Sequence, residues 1–142
     1  LIYIVSDERD VIGVRTNFLK EDIYLYHLTR PLESCRAMFL AYVRSVNALH
    51  AKARWYNAIT TNCTTAIRGQ AAANERIPWD WRILVNGKGD ELMYEKGLLS
   101  TGGLPFDELK NLSLINQRAL AAGLDPGFSA RIREGLPERT VK

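Results

Sequence analysis

The chain has 142 residues, 46% of them hydrophobic and 25% charged, with a formal net charge of +3. That is enough length and apolar content for one domain with a core that needs no disulfide or metal, and it excludes the disordered and fibrous classes. Lys and Arg are scattered with no basic block, so nucleic acid is not an expected partner, whereas an anionic membrane surface or an acidic ligand is permitted.

Cys35 and Cys63 allow one disulfide without requiring it. With His27 and His50 as the only histidines and no CxxC pair, a Cys/His zinc site would consume all four residues, so no metal or cofactor is expected. The longest apolar run, Met38 to Val43, is far short of the ~20 residues that span a bilayer. The chain opens without Met on what reads as a strand interior, so it is expected to be a fragment or a processed product, with no targeting signal of its own.

Leu1 to Val5 is β-branched and aromatic and predicts a strand, with Ser6 to Asp10 as a polar turn. Val11 to Asn17 reads as a second strand and Ile23 to Leu28 as a third, joined by short connections into an antiparallel meander. Pro31 then opens a helix with Glu33 in its first turn, and Cys35, Met38, Phe39, Tyr42, Val43, Val46 and Leu49 recur at helical spacing as its buried stripe. Cys35 is thus expected in the core, and His50 at the stripe's edge near the helix end.

The next helix starts at Cys63, with Asn62 as the preferred cap and Thr60 or Thr61 as substitutes. Pro78 to Gly87 sets Trp79 and Trp81 about Asp80 and ends on an Asn-Gly turn. Asp90 to Lys96 predicts a short helix with Gly97 just past its end, and Gly102-Gly103 a loop. Pro105 and Asp107-Glu108 mark another helix start, Ser113 can cap a helix running to Gly123, and Phe128 to Glu134 predicts a last helix before Gly135. The tail from Pro137 is expected to be loose. Strands early and helices afterwards give an α+β expectation: a small antiparallel sheet packed against helices, in a single domain over residues 1–142.

Within this layout Cys63 carries the sharpest chemistry. A thiol in a first helical turn meets unpaired backbone N–H groups and the positive end of the macrodipole, both of which favour the thiolate. The competing reading is an inert, buried cysteine, because this residue type is usually buried.

Several blocks carry a family resemblance. They are Asp7-Glu8-Arg9-Asp10 with Arg15-Thr16-Asn17, Tyr56-Asn57 leading to Asn62-Cys63-Thr64-Thr65, Asn86-Gly87, Tyr94-Glu95-Lys96-Gly97, and Pro105-Phe106-Asp107-Glu108-Leu109. Together they resemble the Lnb-type N-terminal periplasmic domain across nearly the whole chain. The resemblance implies a papain-like thiol fold of permuted NlpC type and an envelope acyltransferase or hydrolase, related to lipoprotein N-acylation, in the periplasm or at the membrane. It implies Cys63 as nucleophile, Asn62 as helix cap and Thr64 as an N–H donor, acting on a lipid or lipoprotein acyl substrate. The family's histidine is expected on a strand earlier than Leu1, so the chain reads as a fragment lacking that strand; inside it, His27 is the better candidate base. Trp55, Tyr56, Asn57, Trp79 and Trp81 are expected to contact substrate. The competing functions are a cell-wall thiol amidase or peptidase, and a non-catalytic interaction module in which Cys63 is structural.

Overall fold

The computed structural model describes residues 3–57, 63–72, 75–83 and 87–141. Among them seven α-helices follow in chain order: α1 (Glu8–Gly13), α2 (Leu32–Ala51), α3 (Cys63–Gln70), α4 (Gly89–Glu95), α5 (Phe106–Ser113), α6 (Asn116–Ala122) and α7 (Phe128–Arg131). They divide between two compact units. Unit 1 comprises Leu1–Ile4, Arg30–Lys96 and Val141–Lys142; unit 2 comprises Val5–Thr29 and Gly97–Thr140.

Unit 2 begins where the sequence reading expected strands and forms a helix. Asp7 stands in extended conformation and its carboxylate accepts from the Arg9 N–H at 2.9 Å, capping α1, while Glu8 and Asp10 suit the positive end of its dipole. The helix passes into a π turn over Val14–Phe18, where the Leu19 N–H reaches back to the Val14 carbonyl and the Thr16 hydroxyl to that of Ile12. Val11 and Val14 are exposed, and Ile12 packs against the core formed by Ile115, Ala119, Ala122, Phe128 and Ile132. The expected second strand, Val11 to Asn17, is therefore a misreading of β-branched residues: the cap and the four-residue spacing of Glu8, Ile12 and Thr16 prevail over β propensity.

The expected third strand is extended but pairs with two different short segments. Near its start Leu25 donates to Ser113 O and Ile115 to Ile23 O; further on Ser100 donates to His27 O and Thr29 to Leu98 O, all at 2.8–3.0 Å. Each partner is a brief connection beside a helix, so the pairing stops at two isolated antiparallel bridges, Tyr24 to Leu114 and Leu28 to Leu99. Residues 3–5 form no ladder either. No strand exists among the described residues, and the α+β expectation with an antiparallel, papain-like sheet is overturned by a helical fold.

Asn116 locks the turn into the extended segment: its side-chain oxygen accepts from the Ile23 N–H and its amide donates to Glu21 O, both at 2.9 Å. Ser113 ends α5, fully buried, and does not cap α6 as expected. The tail is not loose. Thr140 N–H donates to the buried Ser100 hydroxyl at 3.0 Å, and Pro137 approaches so near Gly102 (φ 59°) that an added Cβ would lie 3.3 Å from the proline ring.

Unit 1 is built on α2, 20 residues long and, as expected, entered from Pro31 with Glu33 in the first turn. Cys35, Met38, Tyr42, Val46 and Leu49 are half-buried, but Phe39 and Val43, assigned to the same stripe, are exposed. The buried face is thus narrower than the hydrophobic pattern. Tyr3 meets Tyr42 edge to face at 6.2 Å, and burial, then Tyr3, pushes the Tyr42 phenol up from its ordinary value. The Gln70 amide at the end of α3 donates to Ser45 of α2 at 3.0 Å. At the start of α2, Arg30 and Ser34 both donate to the Glu75 carboxylate, each at 2.6 Å.

Candidate thiol site

Cys63 is the first residue of α3, the placement expected from the sequence. Its side chain and residues 58–62, with the expected cap Asn62, lie outside what the structure describes. Thr64, in the first turn, is half-buried; Asn57 and Tyr56 are exposed, and Trp55 is 95% exposed. Cys35 is half-buried on α2.

Trp79 and Trp81 are each 59% exposed. The segment carrying them is held by Arg82, whose guanidinium forks two carboxylates: Asp80 at 3.1 Å, and Glu95 on α4 at 2.9 and 2.8 Å through two nitrogens. Asp80 also accepts from the Arg82 backbone N–H at 2.9 Å, closing a local turn. Hydrogen bonds from Arg82 hold both carboxyls below their ordinary values and raise the guanidinium in return. Each indole carries a cation. The Arg68 guanidinium lies 5.4 Å from the Trp79 ring while donating to Ile77 O at 3.0 Å, and the Lys88 ammonium lies 5.4 Å from the Trp81 ring. Sequence reasoning placed the two tryptophans but missed the anchor beneath them. Its signal was the Asp-x-Arg spacing of Asp80 and Arg82 followed by the acidic face of the next helix.

His27 belongs to unit 2 and is half-buried, with Nδ1 3.0 Å from Pro137 O. A carbonyl can only accept, so Nδ1 is the donor in this contact. His50 lies exposed in the last turn of α2. Among the described residues no helix is long and apolar enough to cross a membrane.

The family model of the Lnb N-terminal periplasmic domain matches residues 1–87. The match includes the Asn-Cys-Thr-Thr block and the Asn86-Gly87 pair; the blocks at Tyr94 to Gly97 and Pro105 to Leu109 fall beyond it. No curated protein and no solved structure matches the chain. With more than half of its length matched, from the helix-capping Asp7 through the cysteine at the head of α3, the chain belongs to the Lnb N-terminal periplasmic domain family.

Proposed function

We propose that this domain is a cysteine-dependent acyltransferase or hydrolase of the bacterial envelope, with Cys63 as nucleophile. The observation that supports the reading is the position of Cys63 as the first residue of α3, inside the family-matched segment. At a helix start, unpaired N–H groups favour an anion twice over: first the thiolate, then the oxyanion of a tetrahedral intermediate.

The thiolate attacks the carbonyl of an acyl ester or amide, forming an S–C bond and an oxyanion. Collapse of that intermediate expels the alcohol or amine, which takes up a proton, and leaves a thioester on Cys63. An amine or water then attacks the thioester, receives the acyl group and restores the thiol. Lipoprotein N-acylation is the transfer form of this chemistry, with an α-amine as acceptor. Such a nucleophile needs a base, and His27 is the candidate for that role within this sequence.

The test is the pH dependence of alkylation of Cys63 by a small thiol reagent, with Cys63→Ser and Cys35→Ser as controls. Rapid labelling with a midpoint well below the free-thiol value of ~8.5 supports the proposal. Labelling of Cys63 no faster than that of Cys35, with an ordinary midpoint, overturns it. His27→Gln is expected to shift the midpoint upward, and an unchanged midpoint removes His27 from the mechanism.

A further inference from the structure

Charge and tryptophan are distributed unevenly over the chain. Unit 1 holds eleven Lys and Arg against six Asp and Glu, while unit 2 holds eight against ten, so the net charge of +3 conceals a basic unit and a slightly acidic one. All three tryptophans belong to the basic unit.

Trp79 and Trp81 stay largely exposed on a segment pinned by the Asp80–Arg82–Glu95 network, and Arg68 and Lys88 stand over their rings. A closed hydrocarbon groove is a poor fit for this arrangement, since it would strip both cations of water at a cost of several kcal/mol. A lipid–water interface suits it well. Indoles settle at headgroup depth, and each neighbouring cation gains about 1 kcal/mol from an anionic leaflet. The ion pairs of Asp80, Arg82 and Glu95 hold the segment that carries the indoles before contact, so less backbone entropy is lost on docking.

We propose that unit 1 docks on an anionic phospholipid surface through Trp79 and Trp81, with Arg68 and Lys88 against the lipid phosphates. The docking stands apart from the chemistry assigned to Cys63, and would hold the domain where acyl-bearing lipids lie.

The experiment is co-sedimentation of the whole chain with phosphatidylcholine vesicles, with and without phosphatidylglycerol, together with tryptophan emission. Binding is expected with phosphatidylglycerol only, with a blue-shifted emission and a loss of affinity as salt rises. Lys88→Gln is expected to weaken it about fivefold, the equivalent of ~1 kcal/mol. Trp79→Ala with Trp81→Ala is expected to weaken it at least tenfold while the helical circular dichroism is retained. The Lys88 variant, which removes only an exposed side chain, keeps the test decisive should the tryptophan variant misfold. Cys63→Ser is expected to bind as the parent does, so failure of the thiol chemistry and failure of docking are separately visible. Equal binding to neutral vesicles, no effect of either variant, or association with peptidoglycan sacculi in place of vesicles would each overturn the proposal.

Discussion

Unit 2 is built as a core and unit 1 as a surface. Of the buried apolar residues among those described, Leu99, Leu109, Ile115, Ala119, Ala122, Phe128 and Ile132 belong to unit 2, against Ala71, Ile83 and Leu92 in unit 1. The buried hydroxyls of Thr16, Thr29, Ser100 and Ser113 are all in unit 2 as well. Unit 1 instead carries the cysteine at a helix start, the exposed indoles, the excess positive charge and a 20-residue helix with no fully buried side chain. Among the described residues, most of the buried apolar side chains and the exposed indoles are thus allotted to different parts of the chain.

Core truncation should show the contrast most strongly. Ile132→Ala, at a site fully shielded from water, is expected to cost about 2–5 kcal/mol, whereas Phe39→Ala on α2, where the ring is 67% exposed, should stay within about 0.5 kcal/mol. Urea midpoints compare the two, and equal shifts would abolish the distinction between core and surface.

Asn116→Ala comes next. It strands the Ile23 N–H and the Glu21 carbonyl and is expected to cost about 1–3 kcal/mol, with faster amide exchange at Ile23. Asp7→Ala removes the cap of α1 and should cost about 1 kcal/mol, with increased amide exchange at Arg9. A value near zero would mean that the packing of Ile12 and the Glu8–Arg133 pair hold α1 without the cap.

The smallest expected effect is electrostatic. Hydrogen bonds from Arg133 at 2.6 and 2.9 Å hold the Glu8 carboxyl below its ordinary value of 4.5. A folded-state pKa below the unfolded one means that the pair's contribution is full above the ordinary value and is lost as pH falls through the lowered one. With both partners about one-third exposed, that contribution is about 0.5 kcal/mol at neutral pH. Glu8→Gln should remove this part of the acid loss of stability, and an acid limb identical to the parent's would show that the pair contributes nothing.

The sequence was most legible where one local rule acted without competition. Pro31, Glu33 and the three- and four-residue spacing specified α2; Gly97, at φ 65°, stands just past α4 as expected; and α5 starts directly after Pro105. Legibility failed where two periods overlapped. Val11 to Asn17 satisfies β propensity, yet the Asp7 cap, the burial of Ile12 and the Arg133 pair with Glu8 select a helix, and Arg133 lies 125 residues from Glu8. The segment from Ile23 to Leu28 is extended as read, but a sheet needs a continuous partner and none of its neighbours supplies one. For the candidate site, the helix start at Cys63 was legible from neighbouring residues, and Trp79 and Trp81 were visible as residues. Their holding by Glu95 on α4 and their pairing with Arg68 and Lys88 were not.

By itself, then, the sequence determined what depends on a few neighbouring residues: the extent of the long helix, the helix start at Cys63, the glycine stops and the family blocks up to Gly87. Tertiary structure alone decided that the N-terminal β-branched run is helical, that the extended segment stops at isolated bridges, that the tail is bound to Ser100, and that the positive charge collects with the tryptophans. The physical reason is the range of the interactions. Caps and helical periodicity act within one or two turns, whereas ladder partners, buried faces and the placing of cations over the indoles depend on residues from other segments that only the folded chain brings together.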